Sequence, residues 1–234
     1  MILVRRRVFL DIGAHVGETL GVVMQPRWHF EAIYSFEPAP ACWPALEQLA
    51  DSRVTICRFG LSNENAQALL YNAGEIGAST SADKDPKRVG ASLCEFVDSA
   101  AWFRVNVRDD DEVFAKVNIE GAEPEVIAAL DEAGMLGQIA HLLIHFDVRK
   151  VPSRAHLERD IRDRLDASGI DYTEAEKPFH GDVRRGTRDW LVWCSLSRWS
   201  RKPYELLRRA EGRTRIALYP IKQCITSRAQ SLRG

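Results

Sequence analysis

Residues 8–20 read Val-Phe-Leu-Asp-Ile-Gly-Ala-His-Val-Gly-Glu-Thr-Leu, an apolar run that enters a glycine turn and then leads toward a helix. Val8, Phe9, Leu10 and Ile12 suit a strand buried on both faces, and Gly13 and Gly17 let the backbone turn and approach a ligand without a Cβ in the way. Glu18 and Thr19 are expected to open a helix whose first N–H groups face an anionic group such as a carboxylate. A strand, a glycine turn and a helix in that order are the pattern of a nucleotide-like cofactor site.

The glycine spacing narrows the cofactor. A dinucleotide fingerprint needs Gly-x-Gly-x-x-Gly, whereas this turn holds only Gly13 and Gly17, with Ala14, His15 and Val16 between them. The next apolar run, Ile33-Tyr34-Ser35-Phe36, ends in Glu37, placed to accept hydrogen bonds from both hydroxyls of a ribose. S-adenosylmethionine has that ribose, lacks the pyrophosphate, and would set its methionine end over the Gly13–Gly17 turn.

At 234 residues, 45% hydrophobic and 28% charged, the chain has ordinary globular composition and room for one α/β domain, expected over residues 1–197. The remainder, 198–234, holds ten Lys and Arg against two Glu, a balance of +8 that leaves −9 for everything before it. Its apolar residues, among them Tyr204, Leu207, Leu218 and Ile221, predict an extension docked on its own domain or joining a homo-oligomer. No apolar run approaches the roughly 20 residues of a bilayer span, and the run after Arg5, Arg6 and Arg7 is too short for a signal-peptide core, so a soluble cytoplasmic protein is expected. Cys42, Cys57, Cys94, Cys194 and Cys224 stand far apart, which argues for reduced thiols rather than zinc or disulfides.

Strands alternate with helical segments through the first two thirds, as in a parallel sheet with helices on both faces. A helix is expected over Pro40–Leu49, a third strand over Val54–Cys57 and a short polar-edged strand over Gln67–Tyr71. Residues 74–90 have loop composition, either a lid over a substrate or a surface insertion. Further strands are predicted over Val113–Ile119 and His141–Phe146, with helices over Pro124–Leu130 and Ala155–Ser168, the latter stopping at Gly169. Aromatic and β-branched residues make Trp190–Leu196 the expected last strand, after a polar loop over Lys177–Arg188 that carries His180, Arg184, Arg185 and Arg188.

Three segments together resemble the FkbM-type family of S-adenosylmethionine-dependent O-methyltransferases: Phe9–Gly17, Phe36-Glu37-Pro38, and Lys116-Val-Asn-Ile-Glu-Gly-Ala-Glu123. The resemblance covers about residues 8–130. It implies a Rossmann-like class I methyltransferase fold, with a mainly parallel seven-stranded sheet whose last strand is antiparallel. It also implies that Asp11, Gly13 and Gly17 surround the methionine part of the cofactor, that Glu37 binds ribose, and that Gly60 and Leu61 lie near adenine; Ala14 and His15 of the turn, and Asn118, are further expected cofactor-binding residues, the His15 ring placed to cover the methionine carboxylate. Asn118 stands where the family usually has Asp, and His145 where a Glu is more usual, which points to specialised acceptor chemistry.

Methyl transfer to a hydroxyl needs an aligned lone pair and somewhere for the proton to go, either a general base or a divalent ion that lowers the hydroxyl pKa. The carboxyl ends of adjacent central strands converge on one crevice, which brings Asn118 and Glu120 near His145 and Asp147. Glu120 and His145 are the expected catalytic pair, a carboxylate to orient or hold a cation and an imidazole to accept a proton. Asn118, Glu120 and His145 are alternatively ligands for magnesium or manganese. Asp109, Asp110 and Asp111 read as a solvated turn rather than a cation site.

The resemblance implies a sugar, oligosaccharide or other polyhydroxylated natural product as the acceptor. Nucleic-acid modification is a weaker alternative, because the basic extension attaches to an acidic body that repels phosphate and no Asn-Pro-Pro-Tyr element follows the fourth strand. A cofactor-binding scaffold without catalysis is the remaining reading.

Overall fold

Alternation in Arg7–Ile12 (β1) sends Val8, Leu10 and Ile12 to one face of a sheet and Phe9 and Asp11 to the other, and the residues from Val8 onward are buried. Both faces are therefore covered. The computed structural model describes residues 5–85, 87, 90–175, 182–196, 200, 201 and 204. Its first compact unit, Met1–Glu174, holds a six-stranded sheet in the order β3-β2-β1-β7-β8-β9, with neighbours parallel throughout. The further strands are Ala32–Phe36 (β2), Val54–Cys57 (β3), Glu112–Val117 (β7), Ile139–Ile144 (β8) and Tyr172–Glu174 (β9). Gly60–Ser62 (β4), Ala66–Tyr71 (β5) and Ala91–Asp98 (β6) form a separate sheet ordered β4-β6-β5.

Strand order places the topological switch between β1 and β7, since the chain runs outward from β1 through β2 to β3 and returns on the other side. Ligands of open α/β sheets bind outside the strand carboxyl ends at such a point. This is the Rossmann-like architecture expected from the sequence. The main core joins Val8, Leu10 and Ile12 to Trp102 and Phe103 of Ser99–Asn106 (α3), Ile127 and Leu130 of Glu123–Glu132 (α4), and Ile161 and Leu165 of Glu158–Ser168 (α5). On the opposite face Phe9 meets Phe30 edge-to-face at 5.2 Å, and Phe30 meets Phe114 likewise at 5.3 Å.

Several expectations change. The helix after the glycine turn is only Leu20–Val23 (α1), four residues long, so the turn is not the N-terminus of an extended dipole. Trp43–Leu49 (α2) follows a 3-10 turn at Pro40–Cys42, as the expected helix with its first turn tightened. Strand β6 and helix α3 had no sequence assignment; Asp98 starts α3 by accepting the Ala101 N–H at 2.7 Å. The predicted last strand is helix instead, Val183–Ser195 (α6), within the second unit, Ala175–Gly234. Asp182 caps it through the Arg185 N–H at 2.9 Å, and Arg185 pairs with Asp189 one turn on, local bonds that outweigh the strand propensity of Trp190–Leu196. That helix also takes in Arg184, Arg185 and Arg188, expected in a loop. No antiparallel seventh strand occurs among the described residues.

His180 and most of residues 198–234, with Cys224, lie outside the described residues; Cys42, Cys57 and Cys94 are free thiols and buried. Asp111 is not a solvated turn residue, for it takes a bidentate pair from Arg6 at 2.8 and 2.5 Å. No described helix is long and apolar enough to cross a membrane.

Phe103 is fully buried on α3 while Val105 on the same helix is 82% exposed. Phe103→Ala is expected to cost about 3–5 kcal/mol and Val105→Ala to stay within about 0.5 kcal/mol. Urea unfolding of both variants checks the placement of this helix.

Candidate active site

The crevice at the switch is built by main-chain bonds that draw the three sequence motifs together. Register pairs Ile12 with Val117 and Asp11 with Lys116, and the Asn118 N–H continues the ladder to the Ile12 carbonyl at 2.9 Å. From the other side, the Gly13 and Ala14 N–H groups both donate to the Phe36 carbonyl, at 3.1 and 2.9 Å. The turn after β1 is therefore clamped between the ends of β2 and β7.

Both glycines serve this clamp. Gly13, at φ +88°, would set a Cβ 2.0 Å from the Asn118 carbonyl oxygen, and Gly17, at φ +89°, would set one 2.6 Å from Leu49. Their space is filled by the protein's own chain rather than left open to a ligand. The turn amides are also engaged: His15 N–H donates to Glu37 at 2.8 Å and Gly17 N–H to the Ala14 carbonyl at 3.0 Å.

Beneath it lies a buried ion pair. Lys116 donates to Asp11 Oδ1 at 3.0 Å and to the Gly13 carbonyl at 2.6 Å, while Asp11 Oδ2 and Asn118 Oδ1 are buried with no hydrogen-bond partner among the described residues. Burial pushes the Asp11 carboxyl up and Lys116 pulls it back. Glu37 is also buried, its carboxylate accepting the His15 and Ala39 N–H groups at 2.8 and 2.9 Å and its carbonyl accepting the Trp43 indole N–H at 2.8 Å. Two lone pairs of that carboxylate remain for further donors. Burial raises its pKa against those two amide bonds.

Glu120 stands at φ +56° and Gly121 at φ +110°, a left-handed turn at the end of β7 that a non-glycine residue adopts only under constraint. The constraint comes from residues 72–85. Ser79 Oγ donates to the Glu120 carbonyl at 2.7 Å, and Lys84 forms an ion pair with the Glu120 carboxylate while donating to the Gly77 carbonyl at 3.1 Å. His145 lies one residue past β8, its N–H bonded to the Val117 carbonyl at 2.9 Å, which sets it beside Asn118. Burial, reinforced by the charge of Lys116, lowers its pKa to about 4, so its ring is uncharged at neutral pH and a weak proton acceptor.

Other expected residues fall outside the crevice or play different parts. Leu61 is buried in the main core, and the Cα of Gly60 packs so close to Phe96 that a Cβ would come within 2.5 Å of the ring. Asp147 is buried and paired with Lys150 at 2.6 Å. Of the expected metal set Asn118, Glu120 and His145, the Glu120 carboxylate is paired with Lys84, and no cluster of three or more His, Cys, Asp or Glu able to hold a metal occurs among the described residues.

Sequence reasoning passed over Glu123, Lys84 and Ser79. Glu123 belonged to the quoted motif, yet its role needs the fold: its two carboxylate oxygens accept the Gly121 N–H at 3.0 Å and the Val148 N–H at 2.9 Å, joining the loops after β7 and β8. Burial pushes its carboxyl up to about 7 against the pull of the Gly121 amide, and nearby Asp147 adds to the rise.

No family model matches the chain, and no curated protein matches it either. Among solved structures, the crystal structure of methyltransferase FkbM from Methylobacillus flagellatus KT is similar at 19% identity and a TM-score of 0.45, over 70% of this chain and 39% of that one. The chain thus spans well under half the length of that relative, and the fold assignment rests on its own strand order.

Because Glu123 keeps its proton in the folded state up to about pH 7 but releases it near 4.5 when unfolded, its contribution to stability is present below pH 4.5 and disappears as pH rises through 7. Relative to Glu123→Gln, the wild-type chain should lose stability between those pH values. Urea unfolding of both across pH 4–8 measures this, and the comparison cancels the opposite slope from His145, which both share. Parallel curves would contradict the buried, proton-holding Glu123.

Proposed function

We propose that this chain transfers a methyl group from S-adenosylmethionine to a hydroxyl of a sugar, oligosaccharide or other polyhydroxylated acceptor. The observation that carries the reading is the meeting, at the β1–β7 switch, of the clamped Gly13 turn, the buried Glu37 carboxylate and the Glu120 turn. The residues present fit the cofactor. Two spare lone pairs on Glu37 suit the ribose hydroxyls, and the unpartnered oxygens of Asp11 and Asn118 suit the ammonium and other donors of the methionine part.

When bound, the cofactor supplies a methyl group already activated by its sulfonium, so the protein has to align the acceptor oxygen and remove its proton. Glu120 is the group we assign to accept that proton, with its carboxylate at the carboxyl end of β7. His145, held uncharged, is assigned a hydrogen bond to the acceptor rather than the base role its residue type first suggested. Proton transfer to a carboxylate makes a divalent ion unnecessary in this scheme.

Calorimetry with S-adenosylmethionine is expected to show one site per chain, weakened about 10- to 100-fold by Glu37→Ala, in line with loss of a charged hydrogen-bond acceptor. With labelled cofactor and a panel of methyl glycosides, Glu120→Gln should lower kcat by about 10²- to 10⁴-fold, and chelator should leave the rate unchanged. Absence of cofactor binding would sink the proposal; loss of activity on chelation would restore the metal reading.

A further inference from the structure

We propose that Lys84 is the gate of the acceptor site: its ammonium holds the place on the Glu120 carboxylate that an acceptor hydroxyl must take, and residues 74–85 are the strap that carries it. The inference rests on the methyl-transfer reading of the same crevice.

The strap crosses the carboxyl ends of three neighbouring parallel strands. Near its start, the Gly74 carbonyl meets His15 Nε2 at 3.3 Å, in the turn after β1. In its middle and toward its end, Ser79 and Lys84 hold the backbone and side chain of Glu120, in the turn after β7. Asp83 accepts the Ser153 N–H at 2.8 Å, in the loop beyond β8. These are the segments that form the crevice, and a surface insertion has no reason to bond to all three.

Its fastening is uneven. Tyr71 and Ser79 exchange two main-chain bonds, at 2.9 and 3.1 Å, which fix the strap's base against the end of β5. Between these two residues, Gly74 and Gly77 both stand at φ +89°, Ile76 is 87% exposed, and a Cβ on Gly77 would meet only the tip of Lys84. The tip of the strap thus has two glycines in left-handed backbone and, apart from Ala73 and Ala78 against the small core of Ala39, Cys42 and Leu70, little buried apolar surface, the composition of a segment that opens at low free-energy cost.

Closed, the strap occupies Glu120 from two sides, through Ser79 on its carbonyl and Lys84 on its carboxylate. The Lys84 and Glu120 side chains are largely buried, so the ammonium is not swept aside by solvent. A hydroxyl both replaces the ammonium as a donor to the carboxylate and presents a lone pair for methylation. Acceptor entry is then an exchange of one donor for another at Glu120, with the strap swinging outward as Lys84 lets go.

Amide hydrogen exchange on the full chain reads the latch without any acceptor. Lys84→Met and Glu120→Gln should each raise exchange across residues 74–84 by about tenfold, the loss of one charged hydrogen bond, with the double variant no faster than either single one and Lys84→Arg close to wild type. Exchange in Lys84→Met within twofold of wild type overturns the latch. In transfer assays with methyl glycosides, Lys84→Met should lower the acceptor KM several-fold more than it changes kcat, since the competing donor is gone; an unchanged or higher KM also overturns it. Calorimetry with S-adenosylmethionine separates the two proposals: a wild-type chain that does not bind the cofactor fails the methyl-transfer reading, whereas a chain that binds it while its strap ignores Lys84→Met fails the gate alone.

Discussion

The pair between Asp11 and Lys116 is the interaction on which the crevice depends, because it sits where β1 and β7 part company. Parallel register puts the two residues side by side, and Lys116 then reaches one step further to the Gly13 carbonyl. One ammonium thereby fixes the end of a strand and the start of the turn that leaves it. Removing one partner of a buried pair costs about 3–5 kcal/mol, since the other charge is stranded. Position matters as much as energy: the stranded charge would lie directly under the turn whose glycine touches the Asn118 carbonyl.

Much of this was readable in the residues. Apolar runs at Val8–Ile12, Ile33–Phe36 and Val54–Cys57 named the strands, and Gly169 marked the end of α5 at φ +69°. The parallel sheet was inferred from alternation with helices, and the meeting of Gly13, Glu37 and Asn118 follows from the strand order that the structure adds. What stayed hidden has physical causes. Trp190–Leu196 carries strand-forming side chains, but a cap at Asp182 and the Arg185–Asp189 pair commit it to helix. Helix α1 starts at Leu20 and ends after one turn, whereas Glu18 and Thr19 were expected to open a helix. Gly13 and Gly17 were read as places where the backbone approaches a ligand; their close neighbours within the chain are the Asn118 carbonyl and the Leu49 side chain.

The site's side chains were harder to see, because their roles come from partners far away in sequence. Glu120 was identified from its motif, but its salt bridge to Lys84 and its left-handed backbone depend on a loop whose composition reveals only that it is a loop. His145 was chosen for a pKa near neutrality, and burial beside Lys116 removes that property. Glu123 is the converse, an ordinary carboxyl by type that acquires a pKa near 7 by being buried while holding two loops together. Residue type gives the starting chemistry; desolvation and neighbours decide which of these groups titrates in the working range.

The small sheet from which the strap springs has one more consequence. Strands β4, β5 and β6 pair among themselves and not with the six-stranded sheet, and the strap is fastened to the end of β5 through Tyr71 and Ser79. On the methyl-transfer proposal, the elements assigned to the donor and those assigned to cover the acceptor therefore belong to different hydrogen-bonded frameworks. Changes in strap length or composition leave the ladder of β1, β2 and β7 intact, so a lineage of such chains is free to diversify what it accepts while the machinery at the β1–β7 switch stays the same.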